Sequence, residues 1–135
     1  MIRTINDLDR PYLYSIIRKV FKTTYISDST FANWYVYVDN NKIIGFILFD
    51  AIYENAEIEY IYVDKKYRNM KIATQLVDKM IENLKRKNIK SITLEVNDKN
   101  TGAIEFYKMN GFKQVAIRKN YYGKDDALLM MRSWW

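Results

Sequence analysis

The chain has 135 residues, of which 49% are hydrophobic and 28% charged, and this composition predicts a single folded domain over residues 1–135. Its net charge of +6 favours an anionic partner such as a phosphorylated cofactor, nucleic acid or an anionic membrane surface, although a solvated lysine-rich surface explains the charge equally well. Cys and His are absent, which excludes disulfides, a Cys nucleophile and the commonest general base and metal ligand. Acid–base chemistry must therefore use Glu, Asp, Tyr, Lys or water, and we expect no metal site.

The N-terminal segment has no feature of an export signal. Met1–Asp7 lacks the apolar core of a signal peptide. No run of the sequence approaches the roughly 18 apolar residues that a membrane helix needs. We therefore expect the protein to lie in the cytoplasm, with no membrane as a partner.

Before the first hairpin the sequence predicts one strand and two helices. Ile2–Ile5 alternates apolar and polar residues, as a half-buried strand does. Asn6 or Asp7 can cap a helix in which apolar residues recur at helical spacing. That apolar stripe consists of Leu8, Leu13, Ile16, Ile17, Val20 and Phe21. Ser27–Phe31 predicts a second, shorter helix, with Ser or Asp as its cap.

Three strands in a meander follow these helices. Trp34–Val38 and Lys42–Tyr53 are rich in aromatic and β-branched residues, and the turn formers Asp39–Asn41 separate them, so the two segments predict a hairpin. Glu54–Asn55 predicts the next turn and Ala56–Val63 the third strand of the meander.

The spacing of apolar residues changes from strand-like to helical after Asp64. An apolar stripe that starts at Ile72 predicts a helix as far as Lys87. The remaining predicted elements are a strand at Ser91–Val96, a helix at Thr101–Asn110 that stops at Gly111, and strands at Phe112–Ile117 and Ala127–Arg132 joined by a loop over residues 120–126.

This order of elements predicts the fold class. Seven strands with helices between them form an α/β (α+β) fold, in which a mixed, mostly antiparallel sheet of about seven strands is flanked by helices. Residues 56–97 form a βαβ unit, whose strands should be parallel and whose crossover should be right-handed.

The turn from the third meander strand into the following helix has the chemistry of an anion site. The N-terminus of a helix presents unpaired N–H groups and the positive end of the helix dipole. Lys65, Lys66, Arg68 and Lys71 add four cations, and the small Ala73 lets a ligand approach the backbone. A diphosphate is the expected ligand; an ordinary loop with solvated lysines is the alternative.

Short motifs along the second half of the chain resemble one family. Arg68–Ala73 resembles the R/Q-x-x-G-x-G/A signature of the GCN5-related N-acetyltransferase (GNAT) superfamily, with Lys71 in place of the first Gly. Leu94–Asn100, Ala103–Tyr107 and Asn110–Phe112 are similar to its L-E-V-x-x-x-N…A-x-x-x-Y-x-x-x-G-F run.

Two later segments resemble the RimI-like branch of the superfamily, which acetylates protein N-termini, including the alanine N-terminus of a ribosomal protein. Arg118–Tyr122 is similar to its R-x-x-Y-Y segment, and Asp126–Met130 is similar to its D-A-x-x-M segment. The resemblance covers roughly residues 42–132.

The resemblance implies an acyl-CoA N-acyltransferase fold with acetyl-CoA as acetyl donor. The backbone of Ile61–Val63 is then expected to hold the pantetheine arm and the acetyl carbonyl, and Asn100 to contact the same arm, as well as capping a helix. The expected cofactor-binding residues are Ile61, Tyr62, Val63, Arg68, Asn69, Met70, Lys71, Ile72, Ala73, Thr74, Asn100 and Tyr107.

The resemblance also assigns the groups that move protons. Tyr107 corresponds to the tyrosine that acts as general acid beside the thioester sulfur. Glu95 corresponds to the glutamate proposed as general base, and Glu57 is a rival base that we rank second. Tyr121 and Tyr122 are expected on the acceptor side, in a solvated loop. From the residues alone, the alternatives are that Tyr107 packs a helix, that Glu95 faces solvent, and that the tyrosine pair packs on Trp34 or Trp134–Trp135.

The expected function is acetylation of a protein or peptide N-terminus by direct transfer in a ternary complex. Acetylation of a small amine, such as a polyamine or an amino acid, is the alternative enzymatic function. A non-catalytic module that binds CoA or nucleic acid is a third possibility, which the presence of both Glu95 and Tyr107 disfavours. The terminal Trp134–Trp135 leaves a homodimer open.

Overall fold

The computed structural model describes residues 1–23, 26 and 31–134, and these residues form seven strands and three helices. The strands are β1 (Ile2–Thr4), β2 (Ala32–Asp39), β3 (Lys42–Ile52), β4 (Asn55–Val63), β5 (Ser91–Asn97), β6 (Lys113–Tyr122) and β7 (Asp125–Ser133). The helices are α1 (Arg10–Phe21), α2 (Ile72–Arg86) and α3 (Thr101–Met109), with single 3-10 turns at Asp7–Asp9 and Lys65–Tyr67. The predicted helix at Ser27–Phe31 lies outside the described residues, apart from Phe31.

All seven strands belong to one sheet. Their order is β1-β2-β3-β4-β5-β7-β6, and every neighbouring pair is antiparallel except β4 and β5. The parallel pair is the one that the predicted βαβ unit requires, with α2 as its crossover. The predicted fold class, a mixed and mostly antiparallel sheet flanked by helices, is therefore confirmed.

The parallel pair β4–β5 stays together over only a short distance. Its register runs from Asn55 opposite Ser91 to Glu57 opposite Thr93. Beyond that point β4 continues along β3 as far as Val63, while β5 continues along β7 as far as Asn97. The two strands therefore diverge and leave an opening in the sheet, which we call the wedge, between residues 58–63 of β4 and residues 94–97 of β5.

Helices cover both faces of the sheet. Helix α2 buries the predicted apolar stripe, which consists of Ile72, Leu76, Val77, Met80, Ile81 and Leu84. Each leucine-sized side chain buried in this way contributes about 1.5–3 kcal/mol, so the stripe is what holds α2 on the sheet. Helix α1 packs Leu13 and Ile17 against Trp34 on the other face. Among the described residues, none of the helices combines the length and the hydropathy that crossing a membrane requires.

The first helix begins later than predicted, because a capped 3-10 turn precedes it. The Asn6 side chain accepts a hydrogen bond from the Leu8 N–H at 3.0 Å, and the Asp9 carboxylate accepts one from the Asn6 N–H at 2.9 Å. Leu8 lies in this turn and is 90% exposed. Its assignment to the apolar stripe was wrong, since the helical period starts only after the turn has closed.

The last hairpin is longer than predicted. Strand β6 runs on to Tyr122 and β7 starts at Asp125, so the connection is a tight turn in which Gly123 has a φ of +78°. Asn120 did not end the strand as its turn-forming character suggested. It adopts a φ of +54° at an irregularity in the β6–β7 register, and its N–H donates to Asp126 Oδ1 at 2.8 Å.

Candidate active site

Three adjoining cavities form a groove that runs from the N-terminus of α2 to strand β6. The wedge cavity, of about 500 Å³, lies between β4, β5 and β6; the middle cavity has about 380 Å³, and the helix cavity beside α2 has about 670 Å³. Ile61 and Tyr107 line both the wedge cavity and the middle cavity, whereas Arg68 and Ala73 line both the middle cavity and the helix cavity. Each cavity therefore adjoins the next, and we call the three together the groove.

The loop into α2 keeps a glycine-like backbone at Lys71, where the family signature has Gly. Lys71 is the residue before the first turn of α2, and it has a φ of +62° and a ψ of 20°. The first helical bond runs from the Gln75 N–H to the Lys71 carbonyl at 3.0 Å. The N–H groups of residues 72–74 come before that bond, have no acceptor within the helix and belong to residues that line the helix cavity. Lys71 thus adopts the left-handed backbone conformation that glycine adopts most readily.

Arg68 holds the two ends of the turn together. Its Nε donates to the Val63 carbonyl at 3.1 Å, which sets the guanidinium between the middle cavity and the helix cavity. Of the predicted cofactor residues in this loop, those that line the groove are Arg68, Asn69, Lys71, Ile72, Ala73 and Thr74. Met70 has no place in the lining of these cavities, and it is 61% exposed.

The left-handed backbone at Lys71 has a measurable cost. We expect Lys71→Gly to be more stable than Lys71→Ala by about 1 kcal/mol. Glycine relieves the strain that a Cβ causes in this conformation, and its larger unfolded-state entropy cancels only part of that stabilisation. Both variants remove the same charge, so the comparison isolates the backbone. Thermal unfolding of the pair measures the difference, and an alanine variant as stable as the glycine variant would show that the loop does not need this conformation.

Tyr107 lies where the wedge cavity meets the middle cavity. Helix α3 carries it, and its ring packs between Phe106 and Phe112, with centroid distances of 5.3 and 5.5 Å. Burial raises the pKa of its hydroxyl to about 12. The phenol therefore keeps its proton at any physiological pH, as a general acid must until it is used.

Asn100 has the helix-capping role expected from the sequence, and its contact with the cofactor arm stays a prediction. Its side-chain oxygen accepts a hydrogen bond from the Ala103 N–H at 3.2 Å, which caps α3. The residue also lines the wedge cavity. The cap fixes α3, and α3 in turn fixes Tyr107 at the wall of the groove.

Glu95 projects from β5 into the wedge cavity. Its neighbours Leu94 and Val96 are buried in the core, so strand alternation places Glu95 on the opposite face. That face is not open solvent, since the side chain is only 16% exposed and its Oε1 lies 3.2 Å from the Arg118 guanidinium. The other oxygen, Oε2, is buried and accepts no hydrogen bond from the described part of the chain.

Strand β4 faces Glu95 with two more carboxylates, and a β-bulge positions one of them. Leu48 pairs with Tyr60 and Phe49 pairs with Ile58, so Glu59 is the extra residue of the bulge. Glu57 and Glu59 both line the wedge cavity. Within the described residues, no ion pair reaches Glu59.

The charges around these glutamates raise their pKa values. For Glu57, burial raises the pKa, and the charges of Glu95 and Asp50 raise it further. For Glu59, burial, the charge of Glu57 and a hydrogen bond with Asp50 raise the pKa to about 7. Arg118 acts in the opposite direction on Glu57. The wedge cavity therefore holds a carboxylate that titrates near neutral pH.

Tyr121 and Tyr122 form the outer wall of the wedge cavity, from a strand and not from the predicted loop. Their rings lie edge to face with centroids 5.0 Å apart, and the Arg118 guanidinium is 5.3 Å from the centre of the Tyr121 ring. These tyrosines are the last two residues of β6, directly before the turn at Gly123.

Several lining residues had no predicted role. Phe21, at the end of α1, lines both the wedge cavity and the middle cavity, and its ring packs 4.7 Å from that of Tyr60. Phe21 is the last residue in the apolar stripe of α1 and is 40% exposed, so this stripe extends beyond the part of the helix that packs in the core. Arg118 is the first residue of the R-x-x-Y-Y segment, but only the structure shows that its guanidinium pairs with the Glu95 carboxylate.

A sheet that opens between two parallel strands, with a helix N-terminus at one end of the opening and a glutamate and a buried tyrosine at the other, is the architecture of the acyl-CoA N-acyltransferase fold. Residues 2–112 match the sequence model of the Acetyltransferase (GNAT) family, and the chain belongs to that family. The protein is accordingly an acetyl-CoA-dependent N-acetyltransferase, as the sequence predicts.

Individual relatives agree with this assignment. The [ribosomal protein bS18]-alanine N-acetyltransferase of Haemophilus influenzae is 33% identical over 98 residues, which are 69% of this chain and 66% of that protein. The protein of the same name from Escherichia coli K12 is 27% identical over 140 residues, covering 96% of this chain and 94% of the relative. The crystal structure of the E. coli ribosomal-protein-S18-alanine N-acetyltransferase superposes with a TM-score of 0.83 at 24% identity, over 98% of this chain and 92% of that one.

Proposed function

We propose that the protein acetylates the N-terminal α-amine of a protein or peptide, by direct transfer from acetyl-CoA while both substrates are bound. The observation that carries this proposal is that Glu95 and Tyr107 line the same cavity at the opening of the sheet. Direct transfer needs a base for the amine and an acid for the leaving thiolate within one site. With no Cys in the chain, a Cys acyl-enzyme is excluded.

The groove fits the donor, which supplies an acetyl thioester at the end of a long arm with a diphosphate. The N-terminus of α2, with Arg68 and Lys71, would hold the diphosphate, because its N–H groups and cations line the helix cavity. The edge of β4 that β5 leaves free at Ile61–Val63 would hold the amides of the arm. Asn100 would contact the same arm from α3.

The two proton transfers follow from the positions of the side chains. Glu95 is the proposed base, placed to accept a proton from the acceptor amine directly or through water, with Glu57 as the alternative. Tyr107 is the proposed acid, which donates its hydroxyl proton to the departing thiolate. The raised pKa of this hydroxyl keeps the proton in place until that step.

The acceptor would enter from the side of β6. Tyr121 and Tyr122 wall this end of the wedge cavity, opposite the helix cavity where the donor's diphosphate would lie. The relatives from H. influenzae and E. coli are named for acetylating an alanine N-terminus, which favours a peptide acceptor with a small first residue. The wedge cavity, at about 500 Å³, is large enough for the first residues of an extended peptide.

A panel of acceptors tests this proposal. The full chain with acetyl-CoA should release CoA faster with peptides that have a free N-terminal Ala or Ser than with polyamines or free amino acids, at equal concentration. The same peptides with a blocked N-terminus are the matched control and should give no reaction. Faster turnover of a small amine would favour small-amine acetylation over peptide acetylation. If calorimetry detected no binding of acetyl-CoA, both functions would be refuted.

A further inference from the structure

The loop between β4 and α2 is strained and carries like charges. Asn69 and Lys71 both have left-handed backbones, with φ of +65° and +62°. The loop also contains four cations, Lys65, Lys66, Arg68 and Lys71, which repel one another. A backbone of this kind persists only where the surrounding structure restrains it. The bonds that hold the loop therefore decide how well it is prepared to bind a diphosphate.

Asp64 is the residue at which the loop leaves β4, and three hydrogen bonds hold it. Its N–H donates to the Ile44 carbonyl at 2.7 Å, and its own carbonyl accepts from the Tyr67 N–H at 2.9 Å. Its carboxylate Oδ1 accepts a hydrogen bond from the Tyr62 hydroxyl at 3.2 Å. The backbone of Asp64 thus joins β3 to the 3-10 turn, while its side chain ties the start of the loop back to a side chain of β4.

The Tyr62 side chain is held along its ring as well as at its hydroxyl. The ring packs on that of Phe46, with 5.7 Å between the centroids, and the residue lines the middle cavity. Burial, the hydrogen bond to Asp64 and the charge of Asp64 raise the pKa of the hydroxyl, whereas the charge of Arg68 lowers it. The hydroxyl therefore keeps its proton and remains a donor at neutral pH. The family resemblance implies a role for the backbone at Ile61–Val63, so a role for this side chain is additional.

Arg68 connects the Tyr62–Asp64 hydrogen bond to the groove. Its Nε donates to the carbonyl of Val63, the residue between Tyr62 and Asp64 in the chain. A loop that left β4 in another direction would carry Arg68 and Lys71 away from the cavities that they line. In the proposed function these two side chains hold the diphosphate of the donor.

We infer that Tyr62 and Asp64 are positioning residues for the cofactor, whose side-chain hydrogen bond keeps the loop in the conformation that binds the diphosphate of acetyl-CoA. The inference rests on the placement of the diphosphate in the proposed function. When only a fraction of the molecules has a binding-competent loop, the apparent Kd rises in inverse proportion to that fraction. Loss of the hydrogen bond weakens acetyl-CoA binding by this route and leaves the transfer step unchanged, because neither side chain acts on the reacting atoms.

Calorimetric titration of the full chain with acetyl-CoA tests the inference. We expect Tyr62→Phe, which removes the hydroxyl and keeps the ring, to raise the Kd about fivefold. Asp64→Ala should bind about fivefold more weakly than Asp64→Asn, since both remove the same charge but only the amide oxygen of Asn can still accept the hydrogen bond. Adding Tyr62→Phe to Asp64→Ala should then have almost no further effect, because the bond is already lost. With saturating acetyl-CoA, kcat of Tyr62→Phe should stay within about twofold of the unmodified protein.

Tyr37→Phe is the matched control. Tyr37 is half-buried in β2 as Tyr62 is in β4, but it lines none of the three cavities, so its variant should leave the Kd unchanged. An unchanged Kd for Tyr62→Phe, or the same loss of affinity when it is added to Asp64→Ala, would overturn the inference. A lower kcat with an unaltered Kd would overturn it too, because the hydroxyl would then act in the transfer. If the unmodified protein bound no acetyl-CoA, the proposed function itself would fail.

Discussion

Tyr107→Phe should lower kcat by at least about 100-fold while the Kd for acetyl-CoA changes by less than about twofold. General acid catalysis by a positioned group is typically worth 10² to 10⁴ in rate, and this variant removes only the proton donor. The ring would still pack between Phe106 and Phe112, so the wall of the groove should stay intact. Steady-state kinetics and calorimetric titration of acetyl-CoA measure the two quantities separately.

Tyr35→Phe is the control for this experiment. Tyr35 is as buried as Tyr107, but it lies in the core between the sheet and α2 and lines none of the three cavities. We expect its loss of a hydroxyl to leave kcat unchanged. If Tyr107→Phe also left kcat unchanged, another proton source such as water would have to serve the leaving thiolate.

Glu95→Gln should produce the second large effect, a loss of about 100-fold or more in kcat at neutral pH with a flattened acidic limb of the rate profile. A base works only when ionised, so a profile that depends on one falls as pH drops through the pKa of that base. Replacing the carboxylate with an amide removes this dependence. The measurement is kcat against pH at saturating peptide.

Glu57→Gln distinguishes the two candidate bases by the same measurement. Glu57 is the more exposed of the two, and its pKa is raised by burial and by the charges of Glu95 and Asp50. We expect its amide variant to keep the acidic limb. If Glu57→Gln flattened the acidic limb and Glu95→Gln did not, Glu57 would be the general base. An acidic limb that survives in both variants would mean that bulk water takes the proton of the amine.

The regular elements of this fold could be predicted because their residues repeat with a clear period. The apolar stripe of α2 and the alternation in β5 appear in the sequence at the positions where they are buried in the structure. The motifs also pointed to one place in the fold, since Glu95, Asn100 and Tyr107 line the same cavity; their roles there stay predictions.

What the sequence could not reveal depends on contacts between distant segments. The bulge that singles out Glu59 is a mismatch between β3 and β4, and neither strand alone contains it. The pairing of Arg118 with Glu95 joins β6 to β5 across β7. The left-handed backbone at Lys71 was hidden for another reason, because a lysine gives no local sign of the conformation that glycine usually marks.

Transfer of acetyl to an N-terminal α-amine can be tested by the position of the acetyl group on a product peptide. The substrate is a peptide with a free N-terminal Ala and an internal Lys, incubated with acetyl-CoA and the full chain and then sequenced by mass spectrometry. We expect one acetyl group, on the α-amine, and almost none with Tyr107→Phe. Acetyl on the lysine side chain alone, or an unmodified peptide, would contradict it.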